Sequence, residues 1–449
     1  MRSPPLRLVA VLLGVFLVAD VVALIVHDGS HKKLKVAAPG QRATTTSSST
    51  TSSTTAPPAT ASTATTAVPD ALARQFDQIK AQVASVRGLD WLGPLSIRVA
   101  DNAAFVKELK AVDDRDAHPD RLNGDGETDK LLQLIPNSTD FKKTIDDLFA
   151  GLVLGFYDPK TKQLLVRESK GTLDPATRFT IAHEMDHALT DQHFHYGDVA
   201  DAIDKADKQE EGTGLTALLE GDAVHTQDLW AQKYLSAGER RQTGGGGDLS
   251  VIARTPRFLL DSLRFPYTYG LAFVQGRWSA GGWAAVNAMY ARPPVSSQQI
   301  LHPELYVANK GWTAPAFPDV PAATGCTSVR TGTVGEVEMA MLLEEHLDDK
   351  TSSTAASGWN GDSFVTVRCG GPNGRRGFVD RWLTSNGSQL AAAVGSWASD
   401  WAHGSNPGPD GRFSGSSGAG RLVRANDHID LILADDQATA DKLNAALGD

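Results

Sequence analysis

Residues 174–194 read DPATRFTIAHEMDHALTDQHF and contain the pattern H-E-x-x-H at His183, Glu184 and His187. On an α-helix, side chains four apart lie one turn apart on the same face, so both imidazoles point the same way. That spacing suits two corners of a tetrahedral zinc ion, with Glu184 beside them to take a proton from a water the metal activates. Asp174 suits the N-cap and Pro175 the first helical position, and Phe179, Ala182, Met185 and Leu189 supply apolar contacts. A chain with this stretch is expected to fold around a helix that offers metal ligands to its interior.

The front of the chain reads differently. Residues 8–26 form an apolar run interrupted only by Gly14 and Asp20, long enough to cross a bilayer, with Arg2 and Arg7 before it. The nearest small-residue cleavage site, Val36-Ala37-Ala38, lies beyond Lys32, Lys33 and Lys35, so residues 1–36 read as an uncleaved signal anchor with its flank. Residues 37–69 are almost entirely Thr, Ser, Ala and Pro, with Arg42 as the one charge. Such a stretch lacks the apolar side chains that offset the entropy of ordering, so it reads as a disordered stalk, reaching about 100 Å if extended. A stalk after a single anchor holds a domain outside the cytoplasm, or releases it as a secreted protein if the anchor is cut. The two cysteines, Cys326 and Cys369, fit that compartment if they pair. The net charge of −10 argues against a nucleic-acid partner, which needs basic surface against phosphates.

The expected fold class is α+β: a mainly helical zincin-like domain with a small sheet over residues 70–312, and an α+β region over 313–449 packed on it. Leu72, Phe76, Ile79, Val83 and Val86 recur at helical spacing, residues 95–99 read as a strand, and 104–109 and 141–152 as helices. Residues 120–129 imitate a calcium loop but fail its register, with Arg121 where the first carboxylate belongs and Leu132 at the twelfth position; they read as a polar loop. Residues 155–158 and 163–166 form a β-hairpin whose edge could pair with an extended peptide. Residues 258–278 and 283–290 read as aromatic-rich core helices, and 336–346 as a further helix. Residues 364–369, 377–383 and 421–433 read as strands, with helices at 388–401 and 436–447.

Two side chains compete for the third metal position. His193 imitates a metzincin spacing, but Thr190 stands where that pattern needs a glycine to turn the chain. Glu220 sits in LTALLEGDAVHTQDLW, residues 215–230, flanked by Ala217, Leu218, Leu219, Ala223 and Val224. A carboxylate in such surroundings is costly to bury unless a metal or a charge partner compensates it, which favours Glu220. Asp191, Asp222 and His225 are candidates for orienting a ligating histidine. His302, Tyr306 and Tyr157 are candidates for stabilising an oxyanion.

The His183-Glu184-x-x-His187 helix followed by Glu220-Gly221-Asp222-Ala223 resembles the gluzincin zinc peptidases, and with the preceding hairpin looks like their microbial surface members. The resemblance covers about fifty residues. It implies a zinc cofactor, His183, His187 and Glu220 as ligands, Glu184 as general base, and a peptide or protein substrate. Many gluzincins carry an orienting aspartate one turn after the third ligand, where this chain has Val224. The expectation is therefore a membrane-anchored, externally displayed zinc metallopeptidase. A zinc-dependent cell-wall amidase and a non-catalytic surface protein with a structural metal are the alternatives.

Overall fold

The computed structural model describes residues 68–168, 172–244, 248–425 and 427–448, so the anchor expected at 1–36 and nearly all of the stalk lie outside the described residues. Among the described residues no helix is long and apolar enough to cross a membrane. The fold is α+β.

The first folded helix, α1 (Asp70–Arg87), buries Leu72, Phe76, Ile79 and Val83 as the spacing predicts, but it also buries Arg87 in its last turn and ends on Gly88 in the left-handed region, φ 71°. After it come β1 (Ser96–Ala100), α2 (Asn102–Asp116), α3 (Pro119–Leu131) and α4 (Phe141–Leu152). The hairpin follows, as β2 (Gly155–Asp158) and β3 (Gln163–Arg167). These three strands make a small sheet in the order β1-β3-β2, with β1 parallel to β3 and β2 antiparallel on the edge. The edge strand faces α5 (Pro175–Phe194), the metal-motif helix, whose N-cap Asp174 accepts the Thr177 amide and whose first position is Pro175. Then come α6 (Tyr196–Ala206) and α7 (Gln209–Tyr234), which packs against both α5 and α1.

The polar loop expected at residues 120–129 is instead the body of α3. Tertiary contacts override the two glycines there. A side chain at Gly124 would meet the Val329 carbonyl at 2.7 Å, and one at Gly126 would meet Phe141 at 3.0 Å. Asp125 pairs with the buried Arg330, and the Thr128 hydroxyl donates to the Gly124 carbonyl at 2.9 Å. The helix expected over 258–278 is broken as well. It consists of α8 (Arg257–Phe265), a π-helical turn at Pro266–Gly270, and α9 (Leu271–Ala291), which itself bends at Gly281 and Gly282.

The C-terminal part contains α10 (Gly335–Glu344), α11 (Gly387–Ala402), α12 (Gln437–Leu447) and a six-stranded antiparallel sheet in the order β4-β5-β6-β9-β8-β7. Its strands are β4 (Thr327–Gly332), β5 (Trp359–Cys369), β6 (Arg375–Thr384), β7 (Arg412–Gly415), β8 (Gly418–Arg424) and β9 (His428–Ala434). The single strand expected at 421–433 is thus a hairpin, β8 and β9. The largest apolar cluster runs from Phe105 and Leu148 in the first half to Trp382, Trp397 and Leu431 in the second, across residues 312–313.

Cys326 and Cys369 form a disulfide. It joins the start of β4 to the end of β5, neighbours in one sheet, and so staples the sheet internally. The crosslink closes a loop with a sequence separation of 43. Replacing both cysteines by serine should therefore lower the free energy of unfolding by roughly 2–4 kcal/mol, seen as an earlier midpoint in urea.

Candidate metal centre

Helix α5 carries His183, Glu184 and His187, and α7 crosses it to bring Glu220 alongside. The His183 Nε2 lies 3.0 Å from Glu220 Oε2 and 3.0 Å from His187 Nε2, and His187 Nε2 lies 3.5 Å from Glu220 Oε2. Bonds of roughly 2.0–2.1 Å to one tetrahedral ion put its ligands about 3.3 Å apart, so this triangle has the size a metal needs. Among the described residues these three form the one His/Cys/Asp/Glu group with metal-holding geometry.

Electrostatics favour the ionised form of Glu220 and the neutral form of His183. Burial pushes the Glu220 carboxyl up, but the His187 and His183 imidazoles outweigh that and hold it down to about 2. Burial lowers His183, which keeps its imidazole neutral despite Glu220. An ionised carboxylate and a neutral imidazole are the ligand forms. The residues present therefore fit a buried divalent ion.

Glu184 is anchored rather than loose, since the Tyr157 amide on the outer edge of β2 donates to its Oε2 at 2.8 Å. The hairpin thus reaches the site through its backbone. Its phenol does not, for Tyr157 Oη donates to Asp191 Oδ2 at 2.8 Å, where Lys162 Nζ also lies at 2.6 Å. Burial and the neighbouring Asp191 carboxylate raise the Tyr157 phenol. Asp191 therefore clamps the hairpin to α5 and does not orient a ligand. The other two oxyanion candidates are also committed elsewhere: His302 Nε2 lies 2.7 Å from Glu336, and Tyr306 donates to the Arg292 carbonyl at 3.0 Å. His193 lies on the surface with its Nε2 2.7 Å from the Asp90 carbonyl, because α5 continues straight to Phe194. His225 packs edge-on against Trp278 and close to Trp283.

Gln227 on α7 donates from its side-chain amide to the Phe179 carbonyl, one turn before His183 on α5, at 2.9 Å, which ties the two ligand-bearing helices together. One aromatic residue was hidden in the run assigned to core. The Tyr267 ring stacks on His183 with centroids 6.1 Å apart. It sits in the π-helical turn, a distortion that recurs at functional sites. The sequence signal for that break was Pro266 followed by Gly270 inside an otherwise helical stretch.

Beneath the ligands lies a buried charge cluster. Arg87 Nη2 and Nε donate to Asp222 Oδ2 at 2.9 and 3.2 Å, Tyr290 Oη donates to the same oxygen at 2.7 Å, and Arg87 Nε is 3.8 Å from Asp186 Oδ1. Burial, with Asp222 close by, raises Asp186 to about 7. Asp222 thus bonds the cation and not a ligating histidine.

No family model, curated protein or solved structure matches this chain. The site must be judged on its own geometry.

That geometry depends on a close crossing. A side chain at Gly221, next to Glu220, would lie 2.3 Å from the Gly270 carbonyl, and one at Gly270 would lie 2.1 Å from the Ala217 carbonyl. Neither backbone can yield cheaply. Gly221→Ala should cost upwards of about 2 kcal/mol by pushing the Tyr267 turn off α7. Urea unfolding compared with an exposed control such as Gly276→Ala, where an added Cβ meets open space, measures it.

Proposed function

We propose that this protein is a membrane-anchored, extracytoplasmic zinc metallopeptidase of the gluzincin type, hydrolysing peptide bonds in a peptide or protein substrate. The observation that carries the reading is the convergence of His183, His187 and Glu220 with Glu184 one residue along the same helix. Three protein donors leave a position open, as catalytic sites do and closed structural sites do not. Zinc held by these residues would act as a Lewis acid toward the scissile carbonyl and make water more acidic. Glu184 would accept a proton from the attacking water and pass it to the departing amine. The Tyr157 amide, donating to Oε2, holds that carboxylate in a fixed direction. The anchor at residues 8–26 and the stalk at 37–69 would keep the folded part outside the cytoplasm.

The depth of the site favours one second reading, a surface protein with a structural metal. His183, Glu184, His187 and Glu220 are each no more than 2% exposed. A peptide reaches Glu184 only if the covering elements part.

Metal analysis and hydrolysis assays on the purified chain separate these readings. The wild type should carry one zinc, lose it to chelator and cleave casein. Glu220→Ala and His183→Ala should lose the metal, whereas His193→Ala should retain it. Glu184→Gln should keep the zinc while hydrolysis falls by about 10²–10⁴-fold. A wild type that binds zinc yet cleaves no protein leaves the structural-metal reading standing. A wild type without zinc sinks both.

A further inference from the structure

We propose that Arg87 is a positioning residue for the metal centre: it holds the two ligand-bearing helices at the separation that ion capture requires. The inference rests on the metal-site reading of His183, His187 and Glu220. Asp186 immediately precedes His187 on α5, and Asp222 follows Glu220 by two residues on α7. Both carboxylates are fully buried at the interface of these helices. Like charges brought together away from water repel strongly, so the crossing that unites the ligands also tends to force its helices apart.

Arg87 enters this gap from a third helix. Its guanidinium donates twice to Asp222 and approaches Asp186 at 3.8 Å. Its guanidinium carbon lies over the Trp283 ring, 4.3 Å from the centroid, so the cation has an aromatic as well as a carboxylate partner. Trp283 in turn donates from Nε1 to the Val86 carbonyl at 2.9 Å, which fastens the end of α1. Gly88, with φ 71°, lets the chain leave immediately after Arg87. Tyr290 Oη supplies the remaining donor to Asp222. A compact lysine ammonium has no planar fork to share between two carboxylates and stack on the indole. The ligand atoms sit 3.0–3.5 Å apart, so a small slide of α7 along α5 would move Glu220 out of bonding range. Metal affinity is thereby tied to the docking of α1, although α1 contributes no ligand.

The test titrates the full chain with zinc ion alone against a chromophoric chelator, with circular dichroism on each variant. Arg87→Met is expected to weaken zinc binding by about 10–100-fold while the helical signal is retained, with Arg87→Lys in between. Tyr290→Phe, a milder change, should weaken it on the order of a few-fold. Leu443→Ala, in the separate apolar cluster under the second sheet, should lower the melting temperature and leave zinc affinity unchanged. If Arg87→Met is folded and binds zinc as the wild type does, the positioning role is overturned while the metal site survives. If Arg87→Met does not fold, Tyr290→Phe decides: weakened binding supports the role, wild-type binding overturns it. If Leu443→Ala weakens zinc as much as Arg87→Met, the effect is general destabilisation and the proposal fails. A wild type that binds no zinc removes the metal reading itself.

Discussion

Burying ionisable groups where two helices cross is the constraint to which the rest of this fold answers. Along α5 and α7 the chain takes His183, Glu184, Asp186, His187, Glu220 and Asp222 almost wholly out of water. Isolated charges in that setting would destabilise the crossing, and most of them face a partner. Glu220 faces two imidazoles, Glu184 receives a backbone amide from the edge strand, and Asp222 accepts from the guanidinium of Arg87, which lies 3.8 Å from Asp186. The small sheet and α1 are therefore electrostatic partners of the site as much as its scaffold.

Close approach is the second requirement, and glycine meets it. Gly221 and Gly270 let α7 lie backbone to backbone against the π-helical turn, which lowers Tyr267 onto His183. Tyr196 sits at the other side, edge-on to His187 with its hydroxyl donating to the His187 carbonyl at 3.1 Å. Together with the hairpin pinned by Tyr157 and Lys162 to Asp191, these contacts enclose the site. Enclosure strengthens every charge interaction inside it, because little water remains to screen them.

The second sheet supports this arrangement from a distance. Its apolar face shares one core with α4 and α8, and its own buried charges are paired, Arg330 with Asp125 and Arg381 with Asp430 at 2.7 Å. The pairing of Arg330 with Asp125 explains why residues 120–129 are helical. The pair and the packed glycines of α3 exist only once β4 lies against that segment.

Local pattern alone determined a good deal. The apolar spacing of α1, the Asp174-Pro175 start of α5, the hairpin turn after Asp158 and the four-residue interval between His183 and His187 all act within one or two turns of chain, where side-chain period and capping decide the outcome. The burial cost of Glu220 could likewise be read from its apolar neighbours. What the sequence could not decide was which distant groups meet. Arg87 looks like an ordinary terminal arginine until α7 and α9 close over it, and Tyr267 looks like core until the chain breaks at Pro266. Tyr157, His302 and Tyr306 had the right chemistry for an oxyanion donor, yet the folded chain turned each polar end to another partner. Hydrogen-bond partners separated by tens or hundreds of residues depend on how helices cross, and that is set by packing of the whole core.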